Sequence, residues 1–377
     1  MEPLKIGVVG AGRIFTLFHQ NGAKETGLRK FTAIYDVNHE LAEKVAAEYP
    51  WNEMKAYPTL EEMLASDIDA VLVGVPHLLH EEIVEQCADA GKHVLCEKPM
   101  ATSVEGCQRM IDAAKRNHVK LMIAENHRFL PAHGYIHDII EKGWIGEVNL
   151  FRAYEGVNEI PAMMRPGIWK GETRGGGAWL DMAVHKYAAL EYMLNDQAQE
   201  VTAVMAKQVA TLEEKGEDNA ISITRFASGA LGEITVSFTQ VSKNYNSLEI
   251  HGTKGTIIER HDSKTPMRIF SLADEAGEWK GKWFVPEIEH DVYPFYQHIS
   301  ARIEDDHFAH CVLDDTEPVF KPEQAMSAVI ASLMGYLSFI EKRPVTREEI
   351  LELAKKGETK NIYDRLNGII PTKNHIE

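Results

Sequence analysis

The chain is poor in several things that would otherwise direct its interpretation. Its 377 residues include four cysteines, Cys87, Cys96, Cys107 and Cys311, and no C-x-x-C spacing. That excludes a disulfide-stapled scaffold and suits scattered buried thiols in a reducing compartment. No apolar run approaches the length expected of a transmembrane helix. Met1-Glu2-Pro3-Leu4-Lys5 leads directly into the first apolar run, so no signal peptide is expected and the expected location is cytoplasmic. Positive charge is also scarce. Forty Lys and Arg stand against 57 Asp and Glu, a net charge of −17, which disfavours nucleic acid and anionic membranes as partners. Internal repeats and low-complexity segments are absent. What remains is an ordinary globular composition, 44% hydrophobic and 26% charged, with length enough for two or three domains.

The amino terminus carries the first positive signal. Leu4-Lys5-Ile6-Gly7-Val8-Val9 reads as a buried strand, Gly10-Ala11-Gly12 as a tight turn, and Arg13-Ile14-Phe15-Thr16 as the start of a helix. A strand, glycine turn and helix in that order present backbone N–H groups and a helix dipole to a pyrophosphate. A second apolar run, Phe31 to Asp36, ends in a carboxylate at the distance expected for an acid that binds the adenosine ribose. A carboxylate there repels a 2′-phosphate, and Val37-Asn38-His39 supply no Arg or Lys to neutralise one, so NAD is expected rather than NADP. Phe15 occupies the place of the third glycine of this fingerprint. Either the helix stands off from the strand or the Phe15 ring turns toward the second domain.

Two further motifs carry chemistry. Gly91-Lys92-His93-Val94-Leu95-Cys96-Glu97-Lys98-Pro99 reads as a parallel strand whose carboxyl end bears Lys98. Ligands of open α/β sheets bind beyond such strand ends, where a lysine can steady a developing alkoxide. Gly175-Gly176-Gly177 precedes a helix on which Asp181 and His185, four residues apart, share one face. Triple glycine allows close approach to a ligand, and an acid beside an imidazole suits proton transfer.

Taken together these segments resemble the Gfo/Idh/MocA family of glucose-fructose oxidoreductase and inositol dehydrogenase-like enzymes. The likeness also covers Val75-Pro76-His77-Leu78-Leu79-His80, Glu125-Asn126-His127-Arg128-Phe129 and Trp169-Lys170. It implies Lys98, Asp181 and His185 as the catalytic set. For the cofactor it implies Gly10, Gly12, Arg13, Ile14, Asp36, Pro76, His80, Glu97, Lys98 and Asn126, and for the substrate Arg128, Tyr154, Asn158, Arg165 and Trp169. His77 stands where the family often has asparagine, which leaves its role open.

The implied reaction moves a hydride between a ring carbinol of a neutral sugar, glycoside or cyclitol and NAD. His185 would act as base and Lys98 at the alkoxide, while Asp181 orients either the substrate or the histidine. Two rivals stay open: an NAD-recycling glycosidase, and a regulatory protein that binds NAD and a sugar without catalysis. A homo-oligomer is expected. His133 and His137 are spaced i, i+4 with His127 nearby, but no cysteine or acidic ligand follows at metal-binding spacing, so no metal is expected.

Residues 1–126 alternate short apolar runs with helical stretches, the pattern of a Rossmann doubly wound parallel sheet. Residues 127–377 are expected to form an α+β domain around a large, open, mostly antiparallel sheet. Its strands are placed at Val148–Tyr154, Glu200–Ala210, Ala220–Phe226, Ala230–Phe238 and Ser247–Ile258. The amphipathic helix Lys321–Ile340 is expected to pack back on the first domain.

Overall fold

Leu4–Val9 (β1), Ala70–Val73 (β4) and Leu121–Ala124 (β6) are almost wholly buried, as parallel strands covered on both faces must be. With Arg29–Tyr35 (β2), Lys55–Ala56 (β3) and His93–Glu97 (β5) they form a six-stranded sheet of order β3-β2-β1-β4-β5-β6. Every pairing in it is parallel. That is the doubly wound order, with its reversal between β1 and β4, and ligands bind at such a reversal. The computed structural model describes residues 2–372 apart from 21–22, 24–25, 51–52, 166–168, 210–214, 243–244, 262–264 and 290–295.

The second sheet has nine strands: Val148–Gly156 (β7), Ala198–Ala206 (β8), Asn219–Phe226 (β9), Leu231–Ser237 (β10), Tyr245–Gly252 (β11), Gly255–Arg260 (β12), Met267–Ser271 (β13), Trp283–Phe284 (β14) and Val345–Thr346 (β15). Their order is β14-β13-β12-β11-β7-β10-β9-β8-β15, antiparallel throughout except for the parallel pair β7–β10. β9 shows why one face is core: Ala220, Ser222, Thr224 and Phe226 are buried while Ile221, Ile223 and Arg225 are exposed.

Some expected boundaries differ. The strand expected over Ser247–Ile258 is a hairpin of β11 and β12. Its turn, Thr253-Lys254, donates backbone N–H groups to Glu147 and Ile145, both at 2.8 Å. Gly252 and Gly255 flank that turn because a Cβ on either would lie 2.2 and 2.4 Å from the carbonyls of Ile145 and Phe270. Ala210, the expected end of β8, lies outside the described residues.

The chain divides into two compact units. The first comprises Met1–Thr102, Gly106–Phe129 and Gln297–Met326, the second Ser103–Glu105, Leu130–Tyr296 and Ser327–Glu377. Residues 297–326 thus group with the first unit, although the sequence suggested that everything beyond 126 belongs to the second. The helix Pro322–Glu341 has the length and mean hydropathy (1.2) to cross a membrane, contrary to expectation, but 72% of its apolar window is buried inside the protein. It is a core helix: the indole of Trp179 donates to the Ser332 carbonyl on it at 2.8 Å.

Candidate active site

In the first unit, strand register gathers most of the expected cofactor residues at one edge of the sheet. Val9 pairs with Tyr35 and with Val73, Val73 with Cys96, and Glu97 with Ala124. Just beyond these partners, at the carboxyl ends of five neighbouring strands, come Gly10 to Ile14, Asp36, Pro76, Glu97-Lys98 and Asn126. Gly10 has a φ of +100°, and a Cβ on it would lie 2.4 Å from the Gly74 carbonyl. Gly12 differs: it is exposed, and a Cβ there would meet nothing within 4 Å. That open space over a helix start fits a pyrophosphate. Asp36 braces the loop, its Oδ2 accepting from the Ala11 N–H and its Oδ1 from the Asn38 N–H, both at 2.8 Å. Asp36 remains only part-buried, within reach of a ribose diol.

Phe15 leaves no gap within the first unit. Its ring is buried edge-to-face against Phe31 of β2, centroids 5.0 Å apart. The helix accommodates it by widening, with a π-helical turn over Phe15–His19 closed by the Gln20 N–H to Phe15 carbonyl bond.

That widened turn carries a residue whose role the sequence did not suggest. His19 is fully buried, its Nε2 2.9 Å from Glu97 Oε1 and its Nδ1 2.8 Å from Asp305 Oδ1. Burial works against its charge, but the two carboxylates outweigh burial and hold its pKa well above the usual histidine value. An imidazolium donating on both sides therefore ties Glu97, next to Lys98, to Asp305. Arg29 in turn binds Asp305 at 3.3 Å and pairs with Asp306. Glu97 Oε2 accepts the Lys98 N–H at 3.1 Å, so the Glu97 carboxylate holds the strand end in place. His80 also has a positioning role. Its ring nitrogens face the carbonyls of Pro99 at 2.7 Å and Val75 at 3.0 Å, and burial, with His77 adding, lowers its pKa to about 4. The neutral ring can donate to only one of these two carbonyls and packs against the other. Arg128 lies on the short helix Asn126–Phe129, its N–H bonded to the Glu125 carbonyl.

In the second unit the helix Ala178–Leu194 carries Asp181 and His185, both buried, on one face. Lys170 Nζ pairs with Asp181 Oδ2 at 2.7 Å and lies over the rings of Trp169 and Phe238. Trp169 is thereby tied to the acid. The triple glycine serves mainly the chain's own packing. Gly176 has a φ of +80° and abuts Leu180, while a Cβ on Gly177 would lie 2.4 Å from the Glu217 carbonyl. Only Gly175 faces open space. Glu217 Oε1 accepts from the Trp179 N–H at 2.8 Å and the Tyr336 hydroxyl at 2.9 Å, and the Tyr336 oxygen accepts from Gly177 and Leu180. The helix start is thus capped from within. Burial raises the Glu217 pKa to about 7.

Tyr154 does not join the Asp181–His185 face. Its neighbour Glu155 points to the helix, bonding Lys186 at 3.0 Å, so pleating directs Tyr154 to the opposite face of the sheet. There its hydroxyl donates to Gln240 at 2.6 Å. Asn158 is exposed and bridges to Thr239, and Arg165 is exposed.

Residues 4–125 match the oxidoreductase family with an NAD-binding Rossmann fold, and residues 133–258 match the GFO/IDH/MocA C-terminal domain. The chain belongs to the GFO/IDH/MocA family. It is 29% identical over 357 residues to myo-inositol 2-dehydrogenase of Thermotoga maritima, covering 92% of this chain and all of that one. It is 30% identical over 275 residues to 1,5-anhydro-D-fructose reductase of Ensifer adhaerens, covering 72% and 80%. Levoglucosan dehydrogenase in complex with NADH and L-sorbose shares its fold, with a TM-score of 0.79 at 23% identity over 92% of this chain and 99% of that one. As a member of this family the chain is an NAD-dependent oxidoreductase, and its first sheet is the NAD-binding Rossmann domain.

Proposed function

We propose that the enzyme oxidises a ring hydroxyl of a neutral pyranose, a glycoside (at its 3-hydroxyl as one specific case) or a cyclitol. The observation that carries this reading is the ion pair of half-buried Lys170 with buried Asp181, one helical turn from buried His185, an acid–base group on one helix face. The names of the relatives, which act on inositol and anhydro sugars, support the substrate class. The net charge of −17 disfavours anionic substrates.

NAD, when bound, accepts the hydride. The Gly10–Gly12 turn would hold its pyrophosphate and Asp36 its ribose, with Arg13, Ile14, Pro76 and Asn126 lining the same strand ends. His185 takes the hydroxyl proton as general base, and Lys98, held by Glu97, steadies the alkoxide. Lys170 pairs with Asp181 and fixes its position, so that Asp181 orients substrate or imidazole. Trp169 offers an aromatic plane to a sugar ring, with Arg128, Asn158 and Arg165 as further polar contacts.

We also propose a cytoplasmic homo-oligomer. All four cysteines are buried free thiols. Val204, Ile221, Ile223, Leu150 and Leu231 are exposed on the outer face of the second sheet, an apolar surface suited to a second copy. The test of the chemistry is a panel of inositols, aldoses, glycosides and sugar phosphates with NAD or NADP, followed by the near-ultraviolet absorbance of the reduced cofactor. Turnover of neutral ring polyols with NAD is expected. Turnover only with NADP, or only with phosphorylated substrates, would refute the reading.

A further inference from the structure

Inside the second unit three further donor side chains, none of them used in the proposed chemistry, meet. His133 lies on the helix Pro131–Glu141, Glu259 on β12, and His261 just after that strand. All three are at most 2% exposed. The Nε2 atoms of His133 and His261 stand 3.1 and 2.6 Å from the same Glu259 oxygen, Oε1, and one donor atom from each residue lies within 4.8 Å of the others.

Despite these short separations, neither Glu259 oxygen accepts a hydrogen bond of normal geometry. Both imidazoles face that one oxygen at ion-pair distance, so the three donor atoms surround a common point. Donor atoms grouped in this way suit a common centre. Ligands about 2.0–2.2 Å from a tetrahedral metal lie roughly 3.3–3.5 Å apart at neighbouring corners. The 3.1 Å separation is close to that edge already, and the 2.6 Å one reaches it by opening less than about 1 Å. The nearby ammonium of Lys186 is engaged by Glu155 at 3.0 Å and by Asn246. A small internal cavity bordered by His133, Lys186, Asn246 and Glu259 adjoins the cluster and gives the side chains room to adjust.

We propose that His133, Glu259 and His261 form a structural binding site for one divalent transition-metal ion. Two imidazoles and a carboxylate suit zinc or its neighbours in the first transition row rather than magnesium or calcium. The metal would cross-link the Pro131 helix to β12 within the unit's core. His137, the i, i+4 partner of His133, takes no part: its ring stacks on Tyr192 at 4.5 Å. The acidic ligand comes from far along the chain, so local spacing could not reveal the site.

The test uses the full-length protein, stripped with a chelator and then titrated with Co²⁺ or Zn²⁺. One equivalent of Co²⁺ should give visible d–d absorption of a four-coordinate site, displaced by Zn²⁺, and Zn²⁺ should raise the melting temperature. Glu259→Gln and His133→Ala should weaken metal binding by at least about tenfold, while His137→Ala should leave it unchanged. X-ray absorption on the zinc-loaded wild type should show only nitrogen and oxygen neighbours, a readout that needs no variant to fold. No Co²⁺ band and no zinc-dependent stabilisation in the wild type would overturn the proposal. So would binding that survives both ligand substitutions.

Discussion

Gly10–Gly12 in the first unit and Gly175–Gly177 in the second both lead into a helix proposed to carry function, yet glycine serves different ends in them. In the first, Gly10 is required by backbone conformation and Gly12 is left open, so the loop leaves room for a ligand. In the second, Gly176 and Gly177 are required by Leu180 and Glu217, and the helix start is already capped by Glu217 and Tyr336. One helix start can receive a phosphate. The other is closed, and the residues proposed to act, Asp181 and His185, lie a turn or two along. Similar glycine runs can thus mark either a ligand cradle or a tightly packed platform, and only the atoms opposite each missing Cβ distinguish them.

The largest expected effect separates the two units by chemistry. His185→Ala should lower kcat on the order of a hundredfold or more with NAD affinity nearly intact, as steady-state kinetics and an NAD titration would show. A parallel loss of NAD affinity would break the division of labour. The glycines give the next contrast. Gly177→Ala should destabilise the protein by about 1–3 kcal/mol, read as a lower melting temperature, with NAD affinity of the folded protein preserved. Gly12→Ala should do the reverse, weakening NAD binding while the melting temperature stays put. Asp36→Ala should then narrow the preference for NAD over NADP by roughly tenfold in kcat/KM, since the repulsion of a 2′-phosphate disappears with the carboxylate.

The smallest effect is a pH slope. Glu217 has a folded-state pKa of about 7 against 4.5 when unperturbed, so the native state binds the extra proton between those values. Its contribution is therefore full below about pH 4.5 and declines as pH rises toward 7. Glu217→Gln cannot ionise, so the difference in melting temperature should move in the variant's favour between about pH 5 and 8. An unchanged difference across that range would contradict the burial assigned to this carboxyl.

The first unit was largely legible in the sequence because its signals are local: a strand, its turn and the next helix lie within a few residues, as at Gly10–Gly12 and Glu97–Lys98. The residues that went unseen act through partners remote in the chain. His19 reaches Asp305, Trp179 is held by Glu217, and neither pairing leaves a trace in local spacing. Phe15 was visible as a departure, but its resolution by a π-helical turn depended on Phe31. Tyr154 was the opposite case. Phe151 and Ala153 already mark the buried face of β7, so strand alternation would have placed Tyr154 on the other. The hairpin turn at Thr253-Lys254 was likewise signalled by its flanking glycines.

The most direct test of the central claim follows the hydrogen itself. A neutral ring substrate found by the panel is prepared with deuterium on its reacting carbinol carbon, and the cofactor formed is weighed by mass spectrometry. Mono-deuterated NADH accumulating in step with the ketone product is the predicted result. Unlabelled NADH, or release of an aglycone with no net NADH, would contradict the account.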